Sequence, residues 1–174
     1  MKIIVFSDSH GKTEQMEEII KRNRNADIFL HLGDGADSFL MLCERMGVFG
    51  RAVKGNCDSF LISSAKIPDR DIFTICGKKI FMTHGNAFGV SYSTERLIYA
   101  AREAEADIVL YGHTHVKDCR YIEENEVYKK PLYIMNPGSI AKPRDNSASF
   151  GYIDINEKTG VFVSTSEYIE RGIK

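Results

Sequence analysis

Apolar positions along the chain come in short unbroken runs, each halted by glycine and polar residues. Lys2-Ile3-Ile4-Val5-Phe6 has the continuous, β-branched hydrophobicity of a strand covered on both faces, and it stops at Ser7-Asp8-Ser9-His10-Gly11. Met16, Ile19 and Ile20 then recur at helical spacing between about Thr13 and Arg24, with Glu14 towards the start and Lys21, Arg22 and Arg24 towards the end, as the helix dipole favours. Asp27-Ile28-Phe29-Leu30-His31-Leu32 repeats the strand pattern and ends at Gly33-Asp34-Gly35; Phe39, Leu42, Cys43 and Met46 predict a second helix closed by Gly47. Val48 to Val53 predicts a third strand, ending at Gly55-Asn56-Cys57-Asp58. Ile72 to Ile75 and Ile80 to Met82 predict a hairpin turning at Gly77-Lys78, whose second arm ends at Thr83-His84-Gly85. Leu97, Ala100, Ala101 and Ala104 mark a third helix, and Asp107-Ile108-Val109-Leu110-Tyr111 runs into Gly112-His113-Thr114-His115. Beyond it, Cys119 to Ile122, Leu132 to Met135, Phe150 to Ile155 and Val161 to Ser164 alternate and predict antiparallel strands.

Strand and helix alternating in the first half, with mostly strands in the second, predict an α/β fold whose sheet edge or second sheet is antiparallel. No internal repeat, low-complexity stretch or linker interrupts the chain, so its 174 residues are expected to form one domain, 1–174. The four prolines, Pro68, Pro131, Pro137 and Pro143, are expected between elements, because each lacks a backbone N–H.

Composition narrows the function. Lys and Arg total 23 against 24 Asp and Glu, so no global positive field exists to collect a nucleic-acid backbone, and nucleic acid is not the favoured partner. No apolar run approaches the roughly 20 residues that span a bilayer, and no signal-peptide core follows Met1, so a cytoplasmic protein without a membrane partner is expected. Cys43, Cys57, Cys76 and Cys119 form no CxxC pair and read as reduced thiols, the first, third and fourth as small buried hydrophobes. Nothing in the composition demands or forbids a homo-oligomer.

The polar residues that halt the runs carry the chemistry. Asp8 and His10, Asp34, Asn56, His84, and His113 with His115 stand just beyond the ends of five predicted strands, and this set holds four of the five histidines. Ligands of open α/β sheets bind outside the carboxyl ends of the strands, so these loops should converge. Each residue alone has an ordinary role in a turn or cap. Buried together, carboxylates and neutral imidazoles need a compensating positive charge, which metal ions supply. Mixed oxygen and nitrogen donors favour manganese, iron or zinc over the oxygen-loving magnesium and calcium. Two such ions about 3.5–4 Å apart suit in-line displacement at phosphorus.

Asp8-Ser9-His10, Gly33-Asp34, Gly55-Asn56-Cys57-Asp58, Thr83-His84-Gly85 and Gly112-His113-Thr114-His115 resemble the five ordered motifs of the calcineurin-like metallophosphoesterases. The short chain and Asn136-Pro137-Gly138-Ser139 make it similar to the small single-domain prokaryotic phosphodiesterase branch. The resemblance implies two facing mixed sheets flanked by helices, a four-layer αββα sandwich. It further implies that Asp8, His10 and His115 hold one metal and Asn56, His84 and His113 the other, with Asp34 bridging. The expected activity is hydrolysis of small phosphodiesters through a metal-bridging hydroxide, with two divalent transition-metal ions, manganese first and iron, zinc or nickel as alternatives. Many relatives carry His after the motif Asn, where it is thought to protonate the leaving group; here Cys57 occupies that place, a candidate proton donor with weaker hydrogen bonding than imidazole.

Asp58 can orient a neighbouring ligand or serve the loop alone. His31 reads as a core histidine or one that supports a ligand. Lys142-Pro143-Arg144 can face a substrate phosphate or solvent. Outside diesterases, the alternatives are a nuclease, a phosphomonoesterase, or a protein-docking module without catalysis, the use to which a retromer subunit of similar fold is put.

Overall fold

The computed structural model describes residues 1–60, 66–126, 129–156, 158 and 160–168. Its first sheet has the order β10-β9-β1-β2-β3, from β1 (Lys2–Phe6), β2 (Ile28–His31), β3 (Gly50–Ala52), β9 (Ser149–Asn156) and β10 (Gly160–Glu167). The second has the order β4-β5-β6-β8-β7, from β4 (Arg70–Ile75), β5 (Lys78–Thr83), β6 (Ile108–Leu110), β7 (Lys117–Ile122) and β8 (Leu132–Pro137). In the first, β1, β2 and β3 run parallel while β9 pairs antiparallel with both β1 and β10. In the second, β5, β6 and β8 run parallel between antiparallel edges β4 and β7.

Side chains of period two sort the continuous apolar runs into three layers of core. Ile3, Val5 and Leu30 from one sheet meet Ile80, Met82, Ile108 and Leu110 from the other. The alternate residues Ile4, Phe6 and Phe29 turn outward to Met16, Ile19 and Ile20 of α1 (Glu14–Arg22) and to Phe39, Leu42 and Cys43 of α2 (Ala36–Met46). Phe81 and Val109 turn the opposite way, to Leu97 and Ala101 of α3 (Glu95–Glu103). The result is the four-layer αββα sandwich. No described helix is long and apolar enough to cross a membrane.

Four expectations need correction. The hairpin turns at Cys76-Gly77, since a two-residue loop with both φ positive, 47° and 71°, matches strand twist and leaves Lys78 paired with Ile75. Cys76 is therefore exposed in a turn and Cys119 is exposed on an edge strand; of the three cysteines read as core, Cys43 alone is buried. Pro137 is the last residue of β8, where its missing N–H falls at the strand end and its carbonyl accepts the Ser149 hydroxyl at 2.6 Å. The late strands are not uniformly antiparallel, because β8 lies parallel to β6.

Candidate metal centre

The parallel strands β1, β2, β3, β5 and β6 end along one rim of the sandwich, and the five polar loops follow them there. Backbone bonds lock the rim together: Asp8 N–H donates to Gly33 O at 3.0 Å, His10 N–H to Asp34 O at 2.7 Å, and Gly112 N–H to His84 O at 3.0 Å. Asp8, His10, Asp34, His113 and His115 are five of the seven described non-glycine residues with positive φ, between 48° and 70°. Each costs on the order of 1 kcal/mol of backbone strain, a cost concentrated here because left-handed turns aim these side chains at a common point. Gly55 is required by close approach, since a Cβ there would lie 2.2 Å from Asp34 Oδ1.

The seven side chains come together. His115 Nε2 is 3.2 Å from Asp8 Oδ1 and 3.3 Å from His10 Nε2. Asn56 Oδ1 is 3.1 Å from both His84 Nε2 and His113 Nδ1, and His84 Nε2 is 3.6 Å from Asp34 Oδ1. Donor atoms of Asp8, His10 and His115, of Asp8, Asp34 and His84, and of His10, Asp34 and Cys57 form groups tight enough to hold a cation.

Their hydrogen bonds identify what the cluster lacks. His84 Nδ1 donates to Leu32 O at 2.7 Å and His115 Nδ1 to Lys142 O at 2.7 Å, so in the neutral rings both Nε2 atoms present lone pairs to the centre. Those lone pairs face oxygens that are acceptors too. Asp8 Oδ1 is buried without a hydrogen-bond donor, while Oδ2 takes the Ser7 hydroxyl at 2.6 Å and the His113 N–H at 3.1 Å. A proton on His115 Nε2 would relieve one of these contacts, and the adjacent Asp8 carboxylate favours it, raising that imidazole above its ordinary value. Burial would raise the Asp8 carboxyl, but the His115 bond, the His84 ring and the Ser7 hydroxyl outweigh it and hold it low. Burial lowers His10 and His113, with Lys142 adding to the first and His84 to the second, so these rings resist protonation. Convergent acceptors with neutral rings fit divalent cations.

Residues around the cluster set its geometry. Asp58 is buried and accepts three backbone N–H groups, from Asp34 at 2.8 Å, Gly35 at 2.7 Å and Gly55 at 2.9 Å, so it fastens the Asp34 loop to the Asn56 loop. Of its two sequence readings, ligand orientation and loop support, the contacts combine both. Asn136 donates to Gly112 O and Thr114 Oγ1, while Ser139 donates to Asp8 O at 2.8 Å and accepts the Lys142 N–H at 2.7 Å. The roles of Ser7, Asn136 and Ser139 were not foreseen from sequence; the Asn-Pro-Gly-Ser turn was the only signal. Cys57 lies at the start of a short 3₁₀ turn, and its N–H donates to Asp34 Oδ1 at 2.8 Å. Partial burial of the sulfur, the bond to Asp34 and the Asp34, Asp58 and Asp8 charges push its thiol up to about 11, so it keeps its proton at neutral pH. Lys142 and Arg144 are exposed, with charges felt at His10 and His115 respectively.

His31 is fully buried against Phe39. Its Nδ1 accepts the Gly33 N–H at 3.1 Å, leaving Nε2–H to donate to Ser9 Oγ at 3.0 Å, so it ties two ligand loops without facing the centre. Burial drives its pKa from 6.5 to about 4. The unfolded chain therefore binds the proton more readily, and stability present above pH 6.5 is lost as pH falls towards 4, by about 3 kcal/mol from this group. His31→Gln should flatten the pH dependence of the urea midpoint of metal-free protein across that window; a slope unchanged from wild type would contradict it.

Comparison with known proteins identifies the family and the fold. The model of the calcineurin-like phosphoesterase superfamily domain matches residues 1–158. The probable metallophosphoesterase YsnB of Bacillus subtilis is 34% identical over 146 residues, 83% of this chain and 78% of that protein. A crystal structure from Streptococcus pneumoniae, described as a predicted phosphoesterase, superposes with a TM-score of 0.76 at 33% identity, covering 96% of this chain and 89% of that one. Vps29 of Entamoeba histolytica complexed with zinc shares the fold at a TM-score of 0.68 and 19% identity, covering 97% of this chain and all of its own. With a family model spanning almost all of the described sandwich and every loop of its polar rim, the chain belongs to the calcineurin-like phosphoesterase superfamily.

Proposed function

We propose that this protein is a two-metal phosphodiesterase of small diesters, built as one domain. Asp8, His10 and His115 hold one divalent cation, Asn56, His84 and His113 the other, and Asp34 is shared. The observation that carries the reading is the convergence of oxygen and imidazole atoms on one point: His84 Nε2 lies 3.1 Å from Asn56 Oδ1 and His115 Nε2 3.2 Å from Asp8 Oδ1, with both Nδ1 atoms bonded to backbone carbonyls. When bound, the cations supply an activated water at neutral pH and a positive clamp on the phosphoryl oxygens. The chain's part is to pre-position the donors: Leu32 O and Lys142 O fix the His84 and His115 tautomers, and Asp58 fixes the Asp34 loop. Resemblance to the phosphodiesterase branch supports diesters over monoesters.

The test is a matrix of metals against monoesters, diesters, cyclic nucleotides and nucleic acids on purified protein. Chelation should abolish turnover, manganese should support more than magnesium because imidazole donors suit it better, and small diesters should lead. Undiminished diester hydrolysis after verified metal removal would overturn the reading. No turnover of any ester by fully loaded protein would leave the non-catalytic docking module as the reading.

Cys57 protonates the departing oxygen less well than the histidine of many relatives. Activated aryl diesters should therefore react faster than alkyl ones, and Cys57→His should help poor leaving groups more than good ones. If Cys57→Ala abolishes turnover of an activated ester with metal content intact, the thiol is essential and this account fails.

A further inference from the structure

A cavity of about 440 Å³ opens directly beside the metal centre, lined by Lys54, Asn56, Arg70, Thr83 and Phe88 among others. Asn56 belongs to both places: its Oδ1 faces His84 and His113, and the residue also lines this cavity. Through Asn56 the cavity adjoins the cluster and offers space to a substituent of a phosphoester held there.

The wall chemistry selects among substituents. Lys54 and Arg70 bring two cations against one carboxylate, Asp69, which is 83% exposed and pairs with Lys54 at 3.2 Å. That pair anchors the lysine beside the rim, and the Lys54 N–H donating to Pro68 O at 2.8 Å holds its backbone there. Arg70, exposed and lining the cavity, makes no ion pair among the described residues, and a guanidinium can engage an anion through two N–H groups. Phe88, half-buried and packed edge-on to Phe81, adds an apolar part to the lining.

We propose that this cavity receives the second ester arm of the substrate and favours an arm carrying its own anionic group, a phosphate or carboxylate, engaged by Arg70 with Lys54. The proposal rests on the phosphodiesterase reading and narrows its substrate class: diesters of mononucleotide-like size with a further anion, in preference to diesters with two neutral arms.

The experiment compares two p-nitrophenyl esters of thymidine 5′-phosphate, one with a free 3′-hydroxyl and one with a 3′-phosphate, on manganese-loaded protein. Scissile bond and leaving group are the same, so the ratio of kcat/KM reads the extra anion alone. The 3′-phosphate should raise kcat/KM about fivefold, mainly through KM, with the gain shrinking as salt is added. Arg70→Ala should bring the ratio close to one and Arg70→Lys should keep part of it. A wild-type ratio near one, or a ratio unchanged in Arg70→Ala, would overturn the proposal. If neither ester is cleaved, the hydrolytic reading fails separately, and calorimetry with thymidine 3′,5′-bisphosphate still reads the cavity: weaker binding to Arg70→Ala supports it, and equal or absent binding rejects it.

Discussion

Asp34→Ala should lose activity by a factor on the order of 10³ and should lower the affinity of both cation positions together. The expectation follows from its place: Asp34 Oδ1 lies 3.6 Å from His84 Nε2, assigned to one cation, and the same side chain groups with His10, assigned to the other. Asp34→Asn guards against a simple folding failure, because it can still accept the Cys57 N–H while removing the negative charge. Metal stoichiometry and kcat/KM measured on both variants decide the matter. Two ions held by Asp34→Ala with unchanged affinity would refute the shared position.

The second large effect concerns a residue outside the proposed ligand set. Asp58→Ala would strand three backbone N–H groups, two of them in the Asp34 loop, in a region where Asp58 itself is 3% exposed. A buried donor left unsatisfied costs about 1–3 kcal/mol, so the variant should lose about 3 kcal/mol or more of stability by urea unfolding of metal-free protein. Metal affinity should fall about 10–100-fold in the molecules that remain folded, because the two loops it fastens carry Asp34 and Asn56. An unchanged urea midpoint would show that water or backbone rearrangement replaces the carboxylate.

Asp58 also marks the boundary of what the sequence discloses. The strands ending at Phe6, His31 and Thr83 were legible because a doubly covered strand is apolar without interruption, and the candidate residues were legible because they stand where such runs stop. What Asp58 binds was not, since three convergent N–H groups from residues 34, 35 and 55 arise only when two loops meet in space. Ser139 reaching back to Asp8 O is hidden for the same reason. Hydrophobic pattern likewise separates strand from helix without telling partner from partner, so the parallel seat of β8 beside β6 escaped it. Cys119 looked like core because it lies in a strand, but β7 is an edge whose middle faces outward.

The pairing of β1 with β9 sets an order of events during synthesis. Lys2 to Val5 lie against residues 151–154, so the strand that leads into Asp8 has one neighbour missing until some 150 residues have been made. The Ser139 hydroxyl that holds Asp8 O and the Lys142 carbonyl that orients His115 arrive almost as late. A growing chain therefore carries all of its histidines well before it can aim them, and the assembled cluster forms only once β9 has docked. Such long-range closure is slow compared with local helix formation. Under the proposed reading, cation capture is a closing step of biogenesis, and chains stalled short of β9 leave the apolar edge of β1 open to aggregation.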